Sequence, residues 1–448
     1  MSETFDLILS GGHVFTPAGI QTTNIAIKDG KIAGLGDFDT SQAKRTILCA
    51  GLTILPGLID TQVHFREPGA THKETLATGM KSAALGGITA VFEMPNTNPL
   101  TLTPDAIADK MTRAAKEPWV DYAFYLGGCK ENAQHLAAYE NTPGICGIKV
   151  FMGASTGDLL AASDEEIEAV LSNGKRIVAI HAEDEFIMQE NKKTILGDSH
   201  DVAMHNIWRS PESCLNATKR VVAIAQKYNR RIHILHITTL EEMAFLRQHK
   251  DIATVEVLAN HLTLHAPECY ETLGSLAQQN PPIREKHHQD ALWQAIADGT
   301  VDMVASDHAP HTLEEKGKPY PLSPSGTPGV QTLLPIMLNH VNQGKLSLER
   351  LVELMHTNPI RIHGINNRGP IATGNNADFT VVDMNKTDII SSAVQATKSE
   401  WTPFDGMQTK GWPVMTMIRG HVVMYEGELS KEPAGQPVLF NETVTPAN

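Results

Sequence analysis

Eight short apolar runs follow one another through the middle of the chain: LTILPGLIDTQVHF, ITAVFEMPN, VDYAFYLGG, GIKVFMG, RIVAIHAED, RIHILHITT, ATVEVLAN and VDMVASDHAP. Most are continuous rather than alternating, the pattern of parallel strands covered on both faces. Helical patterns lie between them, among them HKETLATGMKSAALGG and DEEIEAVLSNGKR, the latter opened by Ser163 as a cap and closed by Gly174. Strand then helix, repeated, predicts an α/β fold, a (β/α)8 barrel of the TIM type, whose reactive side chains collect at the carboxyl ends of the strands. The runs end on or near Gln62 and His64, Asn96, Lys149, His181, His236 and Asp307.

Both ends of the chain alternate in the manner of half-buried strands. FDLILSGG, NIAIKDGKIAGLG with an Asp29-Gly30 turn, and RTILCAGLTILPG open it; DFTVVDMN and VMTMIRGHVVMYEG, with Arg419-Gly420 placed to turn a hairpin, come near its close. At 448 residues the chain exceeds one ordinary core. It divides by pattern into a barrel at 54–366 and a small β-sandwich module built from 1–53 and 367–448. Two connections are longer than a barrel needs: one follows His181 through the His205 to Pro211 region, and one is GKPYPLSPSGTPGVQT after the eighth run, which could close over a ligand.

Charge narrows the function. With 37 basic and 51 acidic residues the formal charge is -14, which argues against a nucleic-acid or anionic-membrane surface. The substrate expected is a small molecule. Cys49, Cys129, Cys146, Cys214 and Cys269 are widely spaced, without a CxxC pair, and suit free thiols in a reducing compartment. The opening MSETFDLILSGG carries neither a basic n-region nor a long apolar stretch, and a cytoplasmic location is expected.

Several run ends carry metal chemistry. Neutral imidazoles at His181 and His236 could share one divalent ion, and Asp307 in ASDHAPH could be both carboxylate ligand and proton carrier. Gln62 and His64 stand two apart in DTQVHFREPG, so both fall on one strand face, which Arg66 continues. Each alone has a plainer account, as a hydrogen-bonded strand-end histidine, a capping aspartate, or an arginine paired with Glu67. Lys149 lies inside GIKVFMG, where an ammonium is costly. It either reaches a carboxylate or solvent, or its amine has reacted with carbon dioxide to give a two-oxygen carbamate ligand. His72, His261, His265, His287 and His288 fall in segments expected to be solvated helix or loop.

GLIDTQVHFREPG, EMPNTNP, GIKVF, HAEDE, LHIT, QNPPIRE, ASDHAPH, GTPGVQT and GPIATGNNADFTVVD, in that order, resemble the dihydroorotase family of the amidohydrolase superfamily over essentially the whole chain. The resemblance implies reversible interconversion of N-carbamoyl-L-aspartate and L-dihydroorotate, a step of pyrimidine synthesis, over one or two Zn2+ ions. Carried over by position, His64 would bind the more buried ion, carbamylated (N6-carboxylated) Lys149 would bridge, His181 and His236 would hold the second ion, and Asp307 would be ligand and acid/base. Arg66, Asn96 and His311 would grip the substrate carboxylate, Asn280 would hold the ring amide, and the backbone near Ser325 and Gly326 would close the site.

The family pattern His-x-His on the first strand is Gln62-x-His64 here. An amide oxygen is a poorer zinc ligand than an imidazole nitrogen. The expectation is therefore either a weakly held ion at that position or a single metal on Lys149, His181 and His236. Two other readings stay open: a sister hydrolase of hydantoin or allantoin type, and a non-catalytic scaffold for aspartate transcarbamoylase, against which retention of Lys149, His181, His236 and Asp307 argues. A homodimer is the default assembly.

Overall fold

The computed structural model describes residues 5–155 and 159–441. Eight parallel strands pair in chain order: Leu58–Val63, Ile88–Glu93, Asp121–Gly127, Ile145–Phe151, Val178–His181, Ile232–Ile234, Ala253–Leu258 and Met303–Ala305. Between the first and eighth the ring is completed by a bridge of Val63 to His308, with the His64 amide donating to the His308 carbonyl across 2.7 Å. The barrel and its order match the apolar runs.

The first run does not stay whole. Thr53–Pro56 pairs with His13 and Val14 on one side and with Phe379–Val382 on the other, while Leu58 onward belongs to the barrel. The chain changes sheet at Gly57, whose amide donates to the Asp378 carbonyl and where a Cβ would meet Thr89 Oγ1 at 2.5 Å. No larger residue fits that crossing.

A separate sheet gathers both chain ends. Its strands run Glu428–Leu429, His421–Tyr425, Gln408–Ile418, Phe379–Ile389, Thr53–Pro56, Phe5–Thr16, Gly19–Lys28 and Lys31–Gly36, with Ala43–Leu48 beside Phe5–Thr16. The expected hairpins are present: Asp29-Gly30 and Arg419-Gly420 all have positive φ, the requirement of a tight two-residue turn. Residues near the end of the chain also seal the barrel's lower mouth. Val438 and Phe440 pack among the inward residues Ile59, Ala90, Phe92, Ala123 and Tyr125, with the Phe92 and Phe440 rings 5.7 Å apart. The open end is therefore the end where the strands finish.

Local signals set the helices. Ser163 caps Asp164–Leu171 through a capping box with Glu166, and Thr75 caps Leu76–Leu85 through one with Thr78. Asp164–Leu171 ends at Ser172, two residues before the positive-φ Gly174. All five cysteines are buried and free. Two histidines read as solvated are not: His261 and His288 are buried, the first 3.1 Å from the Pro281 carbonyl and the second accepting from the Leu240 amide. His72 and His287 are exposed and His265 is half-buried. Among the described residues, no helix is long and apolar enough to cross a membrane.

Candidate active site

Lys149 stands two residues short of the carboxyl end of the fourth barrel strand. Its neighbours Ile148 and Val150 join the core between barrel and helices, so the alternation of the strand turns the lysine to the interior. Its Nζ has no hydrogen-bond partner, stands 4.3 Å from the Phe151 ring centre, and is pushed down to about 7 by burial. A buried amine in its neutral form is nucleophilic, as carbamate formation requires.

His181 and His236 close on each other. His181 Nδ1 lies 3.0 Å from His236 Nε2, and His181 Nε2 lies 2.8 Å from the Glu183 carboxylate. Burial alone would raise the Glu183 carboxyl, but the Arg209 guanidinium, which meets both its oxygens, and His181 hold it well below the usual carboxylate range. An ionised carboxylate can only accept, so His181 carries its proton on Nε2 and turns the Nδ1 lone pair toward His236. Burial lowers both imidazoles and keeps them neutral. Two nitrogens each about 2.1 Å from one tetrahedral ion stand about 3.4 Å apart, so this pair needs only a small separation to share one.

Gln62, His64 and Asp307 form a second group. Gln62 Nε2 donates to Asp307 Oδ1 across 3.1 Å, and His64 Nε2 faces the same oxygen at 3.1 Å. His64 Nδ1 lies 2.7 Å from Asn96 Oδ1, and Gln62 Oε1 is buried without a partner. For Asp307, burial raises the carboxyl, yet the hydrogen bond with His64, backed by the electrostatic influence of the nitrogens around it, outweighs burial and holds the group far below the ordinary range. The electrostatic influence of Lys149 extends to both sets, to His64, His181, His236 and Asp307, and Asp307 likewise acts on His236. Among the described residues no three His, Cys, Asp or Glu side chains form a metal cage by themselves. The donors stand as two small sets, His181 with His236 and His64 with Asp307, of the imidazole and carboxylate types that zinc takes.

Above them opens a narrow cleft lined by His64, Arg66, Asn96, Ser155, Asn280, Asp307, Ala309, Ser325 and Gly326. Seven of these are residues singled out from the sequence. Arg66, His236 and Asp307 reach their places through left-handed backbone, with φ of 60, 39 and 46 degrees, conformations that cost on the order of 1–3 kcal/mol each. Gly326, with φ 135 degrees, lies where a Cβ would meet the Ala309 carbonyl at 2.5 Å, so its backbone comes as close to the cleft wall as the fold permits.

Arg66 does not pair with Glu67, which receives the Leu76 amide and Arg113 instead. Its Nε donates to the Pro310 carbonyl and Nη2 stands 3.2 Å from His311 Nε2. Lys73 donates to His311 Nδ1, so His311 carries its proton on Nε2 and gives it to the Ser325 carbonyl 3.0 Å away. The Arg66 nitrogen thus faces another N–H and lacks an acceptor there. His311 stands behind Arg66 and Ser325 and does not line the cleft. Burial lowers Arg66 to about 10, and among the described residues no carboxylate forms an ion pair with it.

Sequence reasoning passed over Glu183, Arg209, Lys73, Ser155, His205 and Tyr320. Glu183 was within reach, since it stands two residues past His181 on the same strand face. Arg209, 26 residues further on, carries no local signal.

A model of the amidohydrolase family matches residues 53–423. The dihydroorotase of Pyrococcus furiosus is 36% identical over 420 residues, spanning 93% of this chain and 92% of that protein. That of Methanosarcina mazei is 34% identical over 444 residues, 96% of each. Among solved structures, the L-hydantoinase (dihydropyrimidinase) of Arthrobacter aurescens superposes with a TM-score of 0.91 at 30% identity, covering 97% of this chain and all of that one. A D-hydantoinase gives 0.89 at 27%, over 96% and 98%.

Proposed function

The chain belongs to the amidohydrolase family, and on that premise we propose that it is a dihydroorotase, interconverting N-carbamoyl-L-aspartate and L-dihydroorotate in pyrimidine synthesis. One observation carries the choice within the family. Arg66 is a buried guanidinium at the cleft with no ion-pair partner among the described residues, and a buried unpaired charge is expensive. A ligand bearing a carboxylate relieves that cost through two parallel hydrogen bonds. Dihydroorotate and carbamoyl aspartate carry one; an unsubstituted hydantoin or allantoin ring does not.

Zinc, as one or two ions, would be held by carbamylated Lys149, His181, His236, His64 and Asp307, with Gln62 at the position of a weaker ligand. When bound, such an ion supplies Lewis acidity toward the ring carbonyl and lowers the pKa of a water. Asp307, an ionised carboxylate at the cleft floor, takes the proton of the attacking water and returns it to the departing ring nitrogen. Arg66 and Asn96 hold the substrate carboxylate, with His311 behind them fixing the Ser325 carbonyl. Asn280 meets the ring. Ring closure runs the same path backwards.

The test is turnover of L-dihydroorotate and cyclisation of N-carbamoyl-L-aspartate beside hydantoin and allantoin, using the unaltered protein, Arg66→Ala and Asp307→Ala. Turnover confined to dihydroorotate, weakened by Arg66→Ala and abolished by Asp307→Ala, is the expected result. Equal turnover of hydantoin, indifferent to Arg66, would assign the chain to the hydantoinase type instead.

A further inference from the structure

The two long connections meet behind the cleft. One brings His205 and Trp208, the other Tyr320, and their side chains form a hydrogen-bonded series: Trp208 Nε1 to the Tyr320 hydroxyl, the hydroxyl 3.2 Å from His205 Nδ1, and His205 Nε2 3.0 Å from both the Gln279 carbonyl and Asn280 Oδ1. Every direction in the series is determined. The Gln279 carbonyl can only accept, so His205 Nε2 bears the proton. His205 is buried and held neutral, pushed down to about 3 by burial and the nearby Arg209, so Nδ1 is a lone pair and must accept. Tyr320 therefore donates to His205 while its oxygen accepts from Trp208, whose indole can only donate. The Asn280 atom facing His205 Nε2–H must be the oxygen. Its amide nitrogen is left on the other side, 3.4 Å from Ser155 Oγ, and both residues line the cleft.

We infer that His205, held by Tyr320 and Trp208, is the positioning residue that turns the Asn280 carboxamide so that its NH2 group faces the cleft. This corner of the site then selects ligands with a hydrogen-bond acceptor, such as a ring carbonyl oxygen, and rejects those with an N–H there. A free asparagine could present either end, because its carboxamide is nearly symmetric in shape. The inference rests on the reading of the cleft as a cyclic-amide site. It also gives both long connections a role in specificity, each supplying part of the device.

The experiment measures KM and kcat for L-dihydroorotate in the unaltered protein, His205→Ala, His205→Gln, Asn280→Ala and the His205→Ala/Asn280→Ala double variant. An interaction made equally in ground and transition states moves KM alone, so each alanine variant should raise KM about tenfold with kcat within about threefold. The double variant should be no worse than Asn280→Ala, because His205 acts through that side chain. Gln can donate to Asn280 and accept from Tyr320, and should restore most of the loss. Multiplying effects in the double variant, or an unchanged KM in His205→Ala, overturn the inference. Should His205→Ala fail to fold, Tyr320→Phe removes one hydroxyl: a KM increase that vanishes in the Asn280→Ala background supports the relay, and an unchanged KM overturns it. If the unaltered protein turns over no dihydroorotate, the reading of the cleft falls and this inference with it; turnover with multiplying effects removes only the positioning role.

Discussion

Gln62 donates from Nε2 to Oδ1 of Asp307 across 3.1 Å, although the two residues lie 245 positions apart in the chain. Gln62, at the position where the resemblance leads one to expect an imidazole, is thus tied to the carboxylate, with its own amide oxygen left buried and unpartnered. An amide oxygen there should hold a divalent ion weakly.

The metal content follows from that. Protein purified in zinc and dialysed against a mild chelator should retain fewer than two ions per chain, and Gln62→His should raise the retained number. Elemental analysis decides: two ions in the unaltered protein, resistant to chelation, would remove the argument.

Glu183 sets the tautomer of His181 and is itself fixed by Arg209. Glu183→Gln should weaken zinc binding about 10–100-fold, the usual effect of losing a carboxylate behind a ligating histidine. Competition with a chromophoric chelator reads the affinity directly, and an unaltered value would show that His181 needs no such support.

Arg66→Lys keeps the charge at the cleft but loses the planar fork. The loss of a two-point contact with a carboxylate is about 1.5–3 kcal/mol, so KM for dihydroorotate should rise roughly 10–100-fold with a smaller change in kcat. A KM equal to that of the unaltered enzyme would mean the substrate carboxylate is held elsewhere.

Lys316 is a buried ammonium donating to the carbonyls of Gln278, Pro324 and Gly326 at 3.1, 2.9 and 3.2 Å. Lys316→Met removes that donor from the Pro324 and Gly326 carbonyls, while the Gln278 carbonyl keeps the Gly326 amide. Stability should fall by about 2–4 kcal/mol, and KM should rise because Ser325 and Gly326 lose one of the bonds that hold their backbone. Urea unfolding and steady-state kinetics on one preparation test both effects.

Glu242 is buried between Thr218 and Thr239, and burial raises its carboxyl to about 7. A carboxyl raised in the fold binds more protons there than in the unfolded chain, so its contribution is complete below about 4.5 and lost as pH climbs through about 7. Glu242→Gln, which cannot titrate, should therefore gain on the unaltered protein between pH 5 and 8, by on the order of 3 kcal/mol at most. Parallel pH profiles from urea unfolding would contradict this.

The alternation of apolar runs and helical segments was enough to determine the barrel, its strand order and the strand ends that carry His64, Lys149, His181, His236 and Asp307. Those are properties of short stretches: which face is buried repeats every two or every 3.6 residues, and a polar residue ending a buried run stands out locally. The motifs likewise placed Arg66, Asn96, Asn280, Ser325 and Gly326 at one cleft. Other features depended on chain brought together from far apart. The split of the first run at Gly57, the burial of His261 and His288, the retreat of His311 behind Arg66, and the joining of Glu183 to Arg209 arise only when the ring closes and the long connections fold over it. Tertiary structure also decided which nitrogen of His181, His205 and His311 carries the proton, because a tautomer is chosen by the partner across space and leaves no mark in the neighbouring residues.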